Sequence, residues 1–279
     1  MRDLQDKVAV ITGAASGIGR AMAIACGQSG MKVVLADIEQ DALDSAVHDL
    51  QTDGCEAIGL RTDVSNEADI EALAATALAH FGTVHLVHNN AGVVSSGPID
   101  LLDQATWNWV LGVDMWSVLY GIRTFLPILK AQGEGHIVNT ASSAGLQAAP
   151  NIGPYNVAKF GVVALSETLA AELQAEKSPV GVSVLCPGAV NTQIVDAERN
   201  RPAHVAASYR DTDQARAFRE RAGTMLAQAG LDPSDVAAMV LDAVVDRKFW
   251  IITHPRWIDV MEARVAAMRE GRLAQGMGG

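Results

Sequence analysis

The chain has 279 residues, 49% of them hydrophobic, 19% charged and 5% aromatic, which suits one well-buried domain and excludes a disordered or disulfide-stapled one. A net charge of −11 opposes non-specific nucleic-acid binding, and no run of about 18 apolar residues marks a membrane span. Cys26, Cys55 and Cys186 are scattered without metal-type spacing, so they read as small buried hydrophobes in a reducing compartment, with no metal site.

The N-terminal residues run straight into an apolar strand with no signal-peptide core before it, and a cytoplasmic protein is expected. Lys7–Thr12 reads as the first strand, Arg20–Ser29 as a helix and Lys32–Ala36 as the second strand. Gln40–Thr52 reads as helix, Glu56–Arg61 as strand and Glu67–His80 as helix, with Ser65 as N-cap and acids in its first turn. Val84–His88 is the next strand. One long helix then covers Gln104–Lys130, bent near its end by Pro127. His136–Thr140, Tyr155–Glu176 and Val180–Cys186 read as strand, helix and strand. Asn191–Leu231 departs from the alternation, being long and charged, as expected of a substrate lid or small helical lobe. Ser234–Asp246 reads as helix, and Phe249–Thr253 as a last strand that Pro255 stops, leaving 255–279 as a C-terminal tail. This alternation implies an α/β fold in which a doubly wound parallel sheet is covered on both faces, as one domain over 1–279.

The glycine-rich run Thr12-Gly13-Ala14-Ala15-Ser16-Gly17-Ile18-Gly19 falls between the first strand and its helix. Glycines there permit a tight turn and let backbone N–H groups approach a pyrophosphate, with the helix N-terminus adding a favourable field. Asp37 ends the second strand, where a carboxylate can accept both ribose hydroxyls of an adenosine. The same charge repels a 2′-phosphate, and neither Ser16 nor Ile38 is a cation that would compensate, so NAD is expected over NADP. Downstream, Tyr155 and Lys159 are four residues apart on a helix and share one face. A phenol of pKa about 10 is a poor base at neutral pH, and a nearby cation favours its ionised form. Ser142 precedes the pair. His88, His136 and His254 lie at strand ends without metal-ligand spacing and read as structural. Trp107, Trp109 and Trp116 read as packing or subunit-interface residues.

Taken together, Thr12-Gly13-x-x-x-Gly17-Ile18-Gly19, Asp63-Val64, Asn89-Asn90-Ala91-Gly92, Ser142, Tyr155-x-x-x-Lys159 and Pro187-Gly188 resemble the short-chain dehydrogenase/reductase family over nearly the whole chain. The resemblance implies a Rossmann fold and hydride transfer between a nicotinamide cofactor and a secondary alcohol or ketone. It places Asp63 and Val64 beside the adenine, and Asn90, Ala91 and Gly92 along the cofactor's path. Pro187, Gly188, Val190 and Thr192 would seat the nicotinamide. Tyr155 would be the general acid or base, Ser142 would hydrogen-bond the substrate oxygen, and Lys159 would hold the ribose and lower the Tyr155 pKa. Relatives also imply a homodimer or homotetramer built through the helices at Gln104–Lys130 and Tyr155–Glu176.

Asp114 departs from the family pattern, which has asparagine there to help position a water leading toward the lysine. Aspartate keeps the shape and the backbone carbonyl but loses an amide donor, and its charge opposes a Tyr155 phenolate. The substrate pocket is expected to involve Val94, Gln147, Asn151, Ile152 and the lid from Gln193, which suits a mid-sized, largely apolar or aromatic alcohol. Two other readings stand beside the dehydrogenase: an epimerase or lyase with bound NAD on the same scaffold, and a non-catalytic NAD-sensing protein. The family's usual spacing selects Ser142 over Ser143. Ser142→Ala is therefore expected to lower kcat by roughly 100-fold or more and Ser143→Ala to have little effect, in steady-state assays of the two variants.

Overall fold

Residues of the central strands alternate between two separate apolar clusters, and this alternation makes the layered architecture. Val8 and Val10 belong to one cluster, while Ala9 and Ile11 belong to the other. The same split divides Val34 from Val33 and Leu35. A strand whose side chains point to opposite faces can be apolar throughout only when both faces are covered.

The computed structural model describes residues 1, 3–203, 205 and 213–274. Among them, β1 (Val8–Thr12), β2 (Lys32–Asp37), β3 (Ala57–Arg61), β4 (Leu86–Asn89), β5 (His136–Thr140), β6 (Gly181–Cys186) and β7 (Trp250–Ile252) form one sheet. Its order is β3-β2-β1-β4-β5-β6-β7, and every pair is parallel. Helices α1 (Gly17–Gln28), α2 (Gln40–Thr52) and α8 (Pro233–Asp246) bury Met22, Leu43 and Val240 on one face. On the other, α3 (Glu67–Phe81), α5 (Ser117–Gln132) and α6 (Gly153–Ala175) bury Leu73, Phe125 and Val162. This is the expected doubly wound α/β domain.

Strand order reverses between β1 and β4, and a crevice opens there at the carboxyl ends of the strands. The two loops leaving β1 and β4 are tied together. Asn90 and Ala91 both donate their backbone N–H to Thr12 Oγ1, at 2.9 and 3.1 Å. Asn90 Nδ2 donates to the Thr12 carbonyl at 3.1 Å.

Three local features differ from the sequence reading. The helix expected over Gln104–Lys130 is α4 (Gln104–Leu111), a π-turn over Gly112–Trp116, and α5. Inside the turn, Asp114 Oδ1 accepts the Val93 N–H at 2.8 Å. Pro127 lies within α5, which continues to Gln132. The N-cap of α3 is Asn66, whose side chain accepts the Ala68 N–H, while Ser65 Oγ donates to Asp63 Oδ1 at 2.7 Å. The segment expected to be a tail contains α9 (Arg256–Arg269), with Pro255 at its N-cap, where a missing N–H costs nothing. Trp257 and Met261 pack from this helix onto the core, and Arg264 Nη1 donates to the Leu146 carbonyl at 3.2 Å.

His88 and His136 are buried in the sheet, where Nε2 of each meets a hydroxyl, Thr140 Oγ1 at 2.8 Å and Ser183 Oγ at 2.7 Å. Burial pushes each imidazole pKa down to about 3. The unfolded chain therefore takes up these protons first as pH falls below about 6.5, and stability is lost from there toward pH 3. Urea titrations between about pH 6.5 and 5 should show stability falling with a slope that steepens toward about 1.4 kcal/mol per pH unit for each histidine. His88→Phe should remove one share of that slope.

Candidate active site

The cofactor end is built where β1 turns into α1. Gly13 has φ +64° and a Cβ there would stand 2.9 Å from Ala91 Cα, so only glycine lets the two loops approach. A side chain at Gly19 would overlap the Gly13 carbonyl oxygen. Gly19 is buried at this crossing and does not border the cleft, so its part is close packing of α1 on the turn. Ser16 is the N-cap of α1 but makes no side-chain cap. The first amides of the helix thus keep their donors for a ligand, as an anion site requires.

Asp37 is held by two backbone amides: Ala15 N–H donates to Oδ2 at 2.9 Å and Glu39 N–H to Oδ1 at 3.1 Å. Each oxygen retains a lone pair toward the cleft, which fits a ribose diol. The cleft encloses about 1340 Å³ of empty space, part of it open to solvent. It runs from Asp37, Ile38, Asp63 and Val64, past Ser16, Gly17 and Ile18, to Asn90, Ala91 and Gly92. Ser142, Tyr155, Lys159, Pro187, Gly188, Val190 and Thr192 border the same cleft, with Thr192 against Gly17. Thr253 Oγ1 accepts the Gly188 N–H at 3.0 Å, and His254 Nδ1 lies 2.7 Å from the same hydroxyl. The glycine turn, the free amides and the ribose-ready carboxylate together suit a dinucleotide.

Tyr155 and Lys159 lie one turn apart near the start of α6, as their spacing predicts. Lys159 Nζ is 5.4 Å from the Tyr155 ring centre and donates to the Thr140 carbonyl at 3.1 Å. It also faces Asp114 Oδ2 at 3.3 Å, and both side chains are almost fully buried, at 3% and 0% exposure. This contact has the geometry of an ion pair, since Oδ2 has no well-directed hydrogen-bond donor. Breaking a buried pair by removing one partner costs about 3–5 kcal/mol, because the other charge is left unpaired.

The electrostatics differ from the simple expectation for Tyr155. Burial pushes its phenol pKa above the usual range, and Lys159 only partly offsets that. Asp114 adds to the rise, while the hydrogen bond with Ser142 opposes it. At Lys159, burial disfavours the charge, but Asp114, Tyr155 and Cys186 together outweigh it and hold the ammonium pKa up. Burial raises the Asp114 carboxyl pKa despite the pull of Lys159 and the Val93 amide. Ser143, by contrast, does not border the cleft; its N–H donates to the Pro187 carbonyl at 2.8 Å.

The substrate end is walled differently from the sequence expectation. Val93, Trp109, Val113, Ala197 and, from α7 (Asp213–Ala229), Leu226 line it, together with Gln193. Val94 faces a separate small cavity, because adjacent residues of an extended segment point opposite ways. Gln147, Asn151 and Ile152 do not border the cleft; the Asn151 carbonyl accepts the Gly97 N–H at 2.8 Å, and Ile152 bridges to Gly97. Trp109 packs among Val93, Val110 and Ala197, as its packing reading expects, and also borders the cleft as its aromatic wall. Arg201 stacks on Trp109 at 4.6 Å, and its Nη1 and Nη2 donate to Thr106 Oγ1 and Ser95 Oγ at 2.9 and 3.0 Å. Glu198 pairs with it at 2.5 Å, both side chains buried.

A parallel sheet with a dinucleotide cleft at its switch point, and a tyrosine and lysine converging on that cleft, define a nicotinamide-dependent oxidoreductase. The chain belongs to the short-chain dehydrogenase family, whose model matches residues 7–203. It is 32% identical over 268 residues to a CLA biosynthesis dehydrogenase/reductase of Lactiplantibacillus plantarum, covering 95% of this chain and 94% of that protein. A C alpha-dehydrogenase of a Sphingobium species is 35% identical over 271 residues, covering 96% of this chain and 87% of its own. A short-chain dehydrogenase/reductase of Burkholderia phymatum, solved in complex with NAD, superposes with a TM-score of 0.96 at 42% identity, covering 100% of both chains.

Asp114→Asn removes a charge that raises the Tyr155 pKa. With Tyr155 as general base in alcohol oxidation, as proposed below, the acid limb of the kcat/KM profile should move to lower pH, raising the rate near neutral pH. A pH–rate series on wild type and variant checks this, and an unmoved limb counts against the charge.

Proposed function

We propose that the protein is an NAD-dependent dehydrogenase that oxidises a mid-sized, largely apolar or aromatic secondary alcohol to its ketone, or reverses that step. The observation that carries this reading is that Ser142, Tyr155 and Lys159 meet Asp37 and the glycine turn in one cleft. Gly13, Ser16, Gly17 and Ile18 would hold the pyrophosphate, and Asp37 and Ile38 the adenosine ribose. Asp63 and Val64 would flank the adenine. Pro187, Gly188, Val190 and Thr192 would seat the nicotinamide, which when bound supplies the hydride acceptor.

Tyr155 takes the proton of the alcohol as general base and returns one to the ketone oxygen in the reverse direction. Ser142 donates a hydrogen bond to that oxygen and steadies the charge that grows on it. Lys159, charged and opposite Asp114, favours the phenolate and binds the nicotinamide ribose. Asp114 positions Lys159 and ties the Val93 loop to the π-turn. Val93, Trp109, Val113 and Leu226 give the apolar wall that supports the substrate class. The segment 191–231, of which 204 and 206–212 lie outside the described residues, acts as the lid, a reading supported by its turn over Ile194–Asn200 (a 3₁₀ turn), which borders the cleft.

The acids at the adenosine end, Asp37 and Asp63, favour NAD over a cofactor with a further phosphate. Exposed Trp116 and Val157, on the π-turn and α6, support a homodimer or homotetramer through that face. The free cysteines support a reducing, cytoplasmic setting. Among the described residues, no helix is long and apolar enough to cross a membrane.

Purified protein incubated with NAD and a panel of secondary alcohols should accumulate NADH, and Tyr155→Phe should lose roughly 1000-fold or more of that rate. The kcat/KM for NAD should exceed that for NADP. Turnover without net NADH would favour an epimerase or lyase, and a clear NADP preference would overturn the role given to Asp37.

A further inference from the structure

Four consecutive lid residues hold two different parts of the molecule. Glu198 and Arg201 turn inward to Ser95, Thr106 and Trp109, with side chains 7% and 5% exposed. Arg199 and Asn200 turn the other way, to Glu39, the N-cap residue of α2 and two residues beyond Asp37. Glu39 Oε1 accepts from Arg199 Nε at 3.0 Å and from Asn200 Nδ2 at 2.8 Å. Arg199 Nη2 lies 2.8 Å from the same oxygen. Arg199 Nη1 also donates to the carbonyls of Gln193 and Asp196, at 3.3 and 3.0 Å, so one guanidinium braces the turn and reaches across. Glu39, Arg199 and Asn200 border the same cleft as Asp37, Tyr155 and Thr192.

The two attachments differ in strength. Glu198 and Arg201 are buried, and separating them would strand a charge away from water. Arg199 and Glu39 are 28% and 33% exposed, so solvent and salt weaken their attraction. The turn is thus pinned on its substrate side and releasable on its cofactor side.

We propose that Glu39 is a positioning residue, the latch on which Arg199 and Asn200 close across the adenosine half of the bound dinucleotide. The inference rests on the cleft taking a nicotinamide dinucleotide and says how that molecule leaves. The Glu39 contact opens, the adenosine half goes first, and the Trp109 wall stays in place. The lid then governs cofactor exchange as well as substrate entry.

Stopped-flow displacement of bound NADH or NADPH, read by nicotinamide fluorescence, tests this on wild type, Glu39→Gln, Arg199→Ala and the double variant. Each single change should speed dissociation about 1.5- to 5-fold. The double should be no faster than the faster single, because both remove one contact. Raising salt from about 0.05 M to about 0.5 M should speed release from wild type but not from Arg199→Ala. Wild-type rates in both single variants, or effects that multiply in the double, overturn the latch. So does a melting temperature that falls by more than about 5 °C while release stays unchanged, which marks a purely structural pair. Failure of wild type to bind either reduced cofactor would overturn the reading of the cleft instead.

Discussion

The hydroxyl of Thr12 accepts two backbone N–H groups from the turn after β4, and the cleft depends on this convergence. A parallel sheet sends its chain away from the strand ends in opposite directions wherever strand order reverses. At β1 and β4 the two departing loops would otherwise splay. The Thr12 contacts, with Asn90 Nδ2 on the Thr12 carbonyl, hold them against one another instead. Gly13 accepts that proximity because it carries no side chain to meet Ala91. The glycine turn and the Asn90–Gly92 segment then form adjoining walls of a single cleft, and everything chemical in the molecule is arranged along it.

A second layer of organisation is electrostatic. Three groups that resist losing water stand together near the end of the sheet: a phenol, an ammonium and a carboxylate. Burial pushes Tyr155 and Asp114 toward their neutral forms. The ammonium between them stays charged because the carboxylate faces it. Aspartate at position 114 therefore acts on Tyr155 in two opposing ways, directly by repulsion and indirectly by keeping Lys159 cationic. The π-turn makes this possible, since it carries Asp114 to a place where one carboxylate oxygen reaches the Val93 amide and the other faces the lysine.

Much of this was legible in the residues because it is local. Turn glycines, a carboxylate at a strand end and a tyrosine and lysine one helical turn apart each act within a few positions, and apolar strands alternate visibly with helical periods. What escaped was set by contacts distant in sequence or by one-residue shifts of phase. The π-turn widens a turn that an α-helical period cannot anticipate, so the junction between α4 and α5 was hidden. Val93 and Val94 are chemically alike, and only the path of the loop decides which one meets the cleft. Pro255 looked like a terminator but starts α9, whose stripe of Trp257, Val260, Met261 and Ala267 was a readable helical signal. The Glu39–Arg199 contact joins residues 160 positions apart, beyond the reach of any local pattern.

Trp109 carries two duties on one ring. It walls the pocket, and its face supports the Arg201 guanidinium that anchors the lid turn. A mutational path toward bulkier substrates that shortens this side chain would widen the pocket and undermine the lid anchor in the same step. Val113 and Leu226 line the same space without making that stacking contact. Widening the pocket at those aliphatic positions leaves the Arg201 stacking contact in place, whereas shortening the tryptophan removes it.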